Sequence, residues 1–227
     1  KTLQSLEVSL CDITELDVNA STFKDYRLKI LKLSGNLISR ITPQAGINPL
    51  IFLEELYLDL NGLQHLANAF AHGTSNLRIL DLSDNCISTL EASSLSALHK
   101  LEKLDLKSNL LRDDSVSMRA FEEVGLEASQ FSLNLSYNAL QSFPPLQPLC
   151  AYVTELNLNG NPLKSVPRLS GERGYAFDTL KILHIHSYLR SAEDNALLVR
   201  KMKTKTPQNC RIVTDIETVD GYETPEE

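Results

Sequence analysis

Aliphatic positions recur along this chain in one phrase: Leu-x-x-Leu-x-Leu-x-x-Asn-x-Leu. It is carried by Leu28, Leu31, Leu33, Asn36 and Ile38, then by Leu53, Leu56, Leu58, Asn61 and Leu63. It continues with Leu77, Leu80, Leu82, Asn85 and Ile87, and with Leu101, Leu104, Leu106, Asn109 and Leu111. A degenerate copy places Gln130 in the first slot, followed by Leu133, Leu135, Asn138 and Leu140. Val153, Leu156, Leu158, Asn161 and Leu163 restore the pattern. The terminal copies are atypical. Leu3, Leu6, Val8 and Ile13 lead with Cys11 at the Asn position, and Leu180, Leu183 and Ile185 run out at Tyr188.

From Cys11 through the asparagines to Tyr188 the intervals are 25, 25, 24, 24, 29, 23 and 27 residues. Within each copy the x-Leu-x-Leu-x core alternates, which is strand periodicity: leucines on one face, variable residues on the other. One such strand cannot bury its apolar face alone, so the copies must stack in parallel and gain stability from their neighbours. Asn36, Asn61, Asn85, Asn109, Asn138 and Asn161 then form a column. Their amides both donate and accept, so they can satisfy turn backbone groups that stacking takes out of water; the pattern predicts a structural role for them.

This pattern resembles the leucine-rich repeat family over roughly residues 3–190, at about eight copies. The resemblance implies an α/β solenoid, a horseshoe with a parallel β-sheet on its concave face and a capping helix at its C-terminal end. Residues 1–190 are read as the repeat domain, 191–214 as the cap and 215–227 as a disordered acidic tail. The expected cap helix opens at the capping box of Ser191 and Asp194 and runs to about Lys203, with Leu198 and Met202 covering the Leu ladder. Residues 210–213 add a short extended piece. Between repeats, Ser115 to Gly125 reads as a helix, because Val116, Ala120, Phe121 and Val124 share a face and Gly125 is a stop. The stretch 142–150, with Pro144, Pro145 and Pro148, is expected to be extended.

Composition adds one point: 41 leucines among 227 residues and no tryptophan, as expected of one side chain reused in equivalent slots. The net charge of −7 is mostly local, since residues 215–227 hold six acids and no base. The body is nearly neutral, so attraction to nucleic acid or an anionic membrane is not indicated. No apolar run is long enough to span a membrane; Ile41 to Leu53 is broken by Pro43, Gly46, Asn48 and Pro49. Cys11, Cys86, Cys150 and Cys210 lie 75, 64 and 60 residues apart, which disfavours metal fingers and a disulfide framework. With no cysteine-rich caps, the chain is similar to intracellular members of the family, such as regulatory phosphatase subunits and the axonemal dynein light chain. Its uneven spacing departs from their regular repeat. A cytoplasmic, cytoskeletal or ciliary location is expected.

The variable strand positions form columns on the concave face. One combines Glu7, Lys32, Tyr57, Asp81, Asp105, Asn134, Asn157 and His184. Its neighbours hold Ile30, Glu55, Ile79, Lys103 and Ile182 on one side, and Asp59, Lys107 and His186 on the other. The candidate partner-binding residues are Ile30, Lys32, Glu55, Tyr57, Asp59, Ile79, Asp81, Lys103, Asp105, Lys107, Asn157 and His184. An aromatic and two aliphatics amid carboxylates suit a basic segment of another protein. No catalytic centre, metal, cofactor or small-molecule substrate is expected. His184 and His186 share a face but have no evident third ligand, and the basic run Arg200, Lys201, Lys203 and Lys205 complements a helix dipole. The glycosylation sequons at Asn19 and Asn134 are chance-level matches. The expected role is a non-catalytic binding module or scaffold. A structural subunit of an assembly such as an axoneme, or the recognition region of a receptor or larger enzyme, are the alternatives.

Overall fold

The computed structural model describes residues 3–17, 27–42, 51–66, 70, 75–92, 94–95, 98–117, 119–144, 146, 149, 151–164, 177, 179–186, 194, 197, 200 and 209–213. Each alternating core forms a short strand. In chain order these are β1 (Ser5–Glu7), β3 (Ile30–Lys32), β5 (Glu55–Tyr57), β6 (Ile79–Asp81), β7 (Lys103–Asp105), β8 (Phe131–Asn134), β9 (Val153–Asn157), β10 (Ile182–His184) and β11 (Arg211–Val213). They pair in that order in one nine-stranded, wholly parallel sheet. The expected extended piece at 210–213 is β11, which pairs with β10. A second, two-stranded sheet joins β2 (Leu16–Asp17) to β4 (Ile41–Thr42) on the return path.

The Leu ladder is the core. Leu31, Leu56, Leu80, Leu104, Leu133, Leu156 and Leu183 are in register across the sheet and all are buried. The asparagines do what the pattern predicts. Asn109 Oδ1 accepts the Ile87 N–H at 2.9 Å, while its Nδ2 donates to the carbonyls of Leu82, Leu106 and Lys107. Asn85 and Asn138 repeat that set on Leu63 and Leu111. Every such side chain therefore bonds both its own repeat and the preceding one.

The residue before each asparagine has a left-handed backbone. Leu10, Leu60, Asp84, Ser108 and Tyr137 have φ between 52° and 56°, and Gly35 and Gly160 have φ of 66° and 70°. This turn lets the chain leave the strand at the asparagine, and only two of seven repeats use glycine there.

Three expectations are corrected. Ser115–Gly125 is not a helix: a 3₁₀ turn spans Asp113–Ser115, and beyond it Ala120, Glu122 and Val124 donate to carbonyls three residues back. Neighbouring repeats take the other backbone groups, with Gly125 and Glu127 N–H donating to Leu98 and His99 and Ser117 N–H to Leu90. The apolar set still faces inward, with Ala120, Phe121 and Val124 fully buried. Gln130 does not fill the first slot of its repeat. It is exposed, and Phe131 is buried there, opposite Val153, through a register shift between Phe131 and Ser132. The bulge spares a buried amide the cost of having no partner. In the proline stretch, Leu146 N–H donates to Pro144 and Leu149 N–H to Leu146, so the described part turns rather than extends, bringing Phe143, Leu146 and Leu149 into the core.

Asp194, Leu197 and Arg200 are helical and exposed. The rest of the expected cap helix, Ser191, Leu198 and Met202 included, lies outside the described residues, as do Lys201, Lys203, Lys205, Tyr188, Asn19, Cys150, Pro145, Pro148 and the tail 215–227.

Candidate functional site

Because the strands are in register, the predicted columns exist. Ser5, Ile30, Glu55, Ile79, Lys103, Ser132, Glu155 and Ile182 are successive partners, and so are Glu7, Lys32, Tyr57, Asp81, Asp105, Asn134, Asn157 and His184. Adjacent members of a column sit about 4.8 Å apart, one strand spacing. Ile30, Ile79 and Tyr57 are half-buried on this face and take no part in the ladder behind it.

In the N-terminal half the side chains form a linked polar surface. Lys32 Nζ lies 3.6 Å from Glu7 and 5.9 Å from the centre of the Tyr57 ring. Tyr57 donates its hydroxyl to Glu55 at 2.9 Å. Partial burial, then the Glu55 hydrogen bond, push the Tyr57 phenol up to about 12, so it stays a neutral donor. Asp59 accepts the Ser34 hydroxyl at 2.6 Å.

A second pattern was not foreseen. In four successive repeats the middle column accepts the N–H two residues on: Ser83 onto Asp81, Lys107 onto Asp105, Ser136 onto Asn134 and Asn159 onto Asn157, all at 3.0–3.1 Å. These acids and amides thus hold the strand ends before they meet any partner. Asp105 is the extreme case. It is 9% exposed, accepts from Asn134 Nδ2 at 3.2 Å and lies 3.9 Å from Lys103. Burial raises its pKa, partly offset by the Lys107 and Asn134 hydrogen bonds. Asp81 keeps one oxygen free, whereas Asp105 is largely committed. Asn134 is engaged on both sides, since its Oδ1 also accepts the Ser136 hydroxyl.

Toward the C-terminal end, His184 does have a carboxylate neighbour, contrary to expectation: its Nε2 lies 3.0 Å from Glu155 Oε1. Sequence distance hid this contact, which needs the register of β9 and β10. Among the described residues no group of three His, Cys, Asp or Glu is placed to hold a metal. The bulge at Phe131 opens a polar groove of about 390 Å³, lined by Arg78, Glu102, Gln130, Ser132, Thr154 and Glu155. Arg78 is held by Glu102 through two bonds of 2.9 Å, and Thr154 donates to the Phe131 carbonyl. The arrangement offers hydrogen-bonding groups and charge. No described helix is long and apolar enough to cross a membrane.

The family model described as leucine rich repeat matches residues 52–111, the stretch holding β5, β6 and β7. The chain is a leucine-rich repeat protein. It is 32% identical over 178 residues to the mouse leucine-rich repeat serine/threonine-protein kinase 1, an alignment covering 71% of this chain and 8% of that protein. It is 39% identical over 173 residues to the human leucine-rich repeats and immunoglobulin-like domains protein 1, covering 66% and 16% respectively. The chain thus spans a small part of these relatives. A solved structure of a Leptospira interrogans leucine-rich repeat protein superposes with a TM-score of 0.67 at 22% identity, over 93% of this chain and 48% of that one, and shares its fold. Leucine-rich repeat proteins generally mediate protein–protein interaction, and the repeat region itself is not enzymatic.

Proposed function

We propose that this chain is a non-catalytic binding region whose concave sheet receives a basic segment of another protein. The observation that carries the reading is the in-register set of Ile30, Glu55, Tyr57, Asp59, Ile79 and Asp81: half-buried apolar groups set among carboxylates on a rigid parallel sheet. A preformed surface limits the ordering cost of association, and a desolvated aromatic beside acids is the usual anchor for a cationic chain. Lys103, Lys107, Asn157 and His184 flank this set and would fix the orientation of the bound segment. Exposed free thiols at Cys11 and Cys86 support placing the protein in a reducing compartment.

The test is affinity capture from native extract with cross-linking mass spectrometry, comparing this chain with a Glu55→Lys, Tyr57→Ala, Asp81→Lys variant. Asp105 is left intact because it is buried and both of its carboxylate oxygens accept hydrogen bonds, whereas Asp81 uses only one. Partners cross-linked to β3, β5 and β6 and lost on the variant are the expected result; retention of the same partners would reject the concave reading. The two relatives, each much longer than the matched stretch and one named as a kinase, favour a second reading at the level of the whole protein. In it the same surface recruits a partner for a larger chain.

A further inference from the structure

The left-handed turn before each asparagine is cheapest for glycine, because a Cβ there crowds the following carbonyl. Two repeats use Gly35 and Gly160, and two use the short polar Asp84 and Ser108. Leu10, Leu60 and Tyr137 are anomalous on both counts, left-handed with φ of 56°, 55° and 56° and exposed to 82%, 58% and 42%, and the two leucines fall within the first three repeats. Leu37, two residues past Gly35 and just beyond Asn36, is exposed to 58%. Leu10, Gly35 and Leu60 occupy the same turn position in successive repeats. Leu10 and Gly35 donate to Ser34 and Asp59 in the following strands, and a Cβ at Gly35 would lie 2.5 Å from Leu10 Cδ2. The turn itself needs only the backbone, and the three leucine side chains gain no core burial from it: none of them joins the core cluster, and Leu10 merely lies over Gly35.

The charges around this patch are of one sign. Asp12 adjoins Leu10, Asp59 precedes Leu60, and Asp84 is Leu60's equivalent in the next repeat. Among the described residues none of these three carboxylates has an ion-pair partner. The described lysines and arginines of the first three repeats are already engaged: Lys29 with Glu54, Lys32 with Glu7, Arg40 with Glu15, and Arg27 over the Phe52 ring. An apolar rim ringed by uncompensated carboxylates fits one chemistry.

We infer that the Leu10–Leu37–Leu60 rim is an anchor site for a protein segment in which large aliphatic or aromatic side chains alternate with lysine or arginine. The inference rests on the reading of a basic partner given above and moves its main apolar anchor from the sheet to the rim. Leucine is kept at a position that favours glycine because the partner's side chains lie on it.

The test uses phage-displayed random peptides selected on the purified chain, with enriched peptides synthesised and titrated by fluorescence anisotropy. Three proteins are compared: wild type, a Leu37→Ser, Leu60→Gly variant, and the Glu55→Lys, Tyr57→Ala, Asp81→Lys variant. The expected result is enrichment of basic–aliphatic sequences whose affinity falls roughly tenfold or more on the rim variant. That variant should melt no lower than wild type, since Leu60→Gly relieves the left-handed strain, so the loss cannot be misfolding. Asp12→Asn with Asp84→Asn should flatten the salt dependence of binding. Peptides of other composition, or basic–aliphatic peptides that bind the rim variant as tightly as wild type, would overturn the inference. Affinity lost only on the concave variant would overturn it while leaving the concave reading intact. Loss only on the rim variant would sustain the rim against the sheet.

Discussion

The first repeat and the fifth are written in nearly the same phrase, yet they live in different surroundings. In the fifth, Leu101, Leu104, Leu106 and Leu111 are wholly buried, because β7 has β6 on one side and β8 on the other. In the first, β1 is the edge of the sheet; Leu6, Val8 and Ile13 are only partly buried, and Leu3 is 43% exposed. Asn109 is buried between two repeats. Cys11 stands in the same slot, is exposed, and has its N–H satisfied by Asn36 Oδ1 from the next repeat at 3.0 Å. The difference teaches that a repeat here owns little stability of its own: what a leucine contributes depends on having a neighbour on both sides.

That comparison can be broken most decisively in the ladder. Leu104→Ala should destabilise the fold by about 2–5 kcal/mol, the cost of an unfilled core cavity. Leu6→Ala, at a partly buried site on the sheet edge, should cost about 1–2 kcal/mol. Urea denaturation of the two variants measures the gap, and equal losses would show β1 to be as well enclosed as β7.

The asparagine column sharpens the contrast at a somewhat smaller scale. Asn109→Ala orphans the buried Ile87 N–H and removes one of the two amides that serve each of the Leu82 and Leu106 carbonyls, for an expected loss of about 1–3 kcal/mol. Asn36→Ala frees the Cys11 and Ile13 N–H groups, which are only part-buried, so about 1 kcal/mol is expected. Hydrogen exchange would locate the second loss in the first repeat alone.

The smallest effect is one of pH. The carboxyl of Asp105 is raised above 3.8 by burial, so the folded protein holds its proton more tightly than the unfolded chain. Stability therefore falls as pH rises from about 3.8 through the raised value and is flat beyond it. Asp105→Asn keeps the oxygen that accepts the Lys107 N–H, as Asn134 and Asn157 do in the same column. It should remove that slope, so variant and wild type diverge with rising pH in the acidic range. A denaturation midpoint difference that does not change with pH would refute the assignment.

The ladder and the asparagine column could be read from the sequence because each needs one kind of side chain, an aliphatic to fill a slot or an amide to bridge two turns. The concave columns followed from a strand period of two and near-constant spacing. The left-handed rim was hidden because it is a backbone property, filled here by Leu, Gly, Asp, Ser and Tyr alike. Phe131 was missed because Gln130 kept the spacing while the chain bulged to bury the ring instead. Residues Ser115–Gly125 carry genuine helix signals, but their amides are drawn to Leu90, Leu98 and His99 in the neighbouring turns. In the site, Tyr57 and Asp59 stand where the pattern placed them. Asp105 turned out to be a strand-end brace, since it accepts the Lys107 N–H of its own repeat and the Asn134 amide of the next.

Each bridging asparagine also gives the molecule a direction. The Ile13, Ile38, Leu63, Ile87, Leu111 and Leu140 amides are all answered by an Oδ1 that arrives 21–27 residues later in the chain. A turn emerging during synthesis is therefore left open until its successor is made, and the ordered front trails the growing end by one repeat. Growth closes the solenoid like a ratchet, each tooth set by the next.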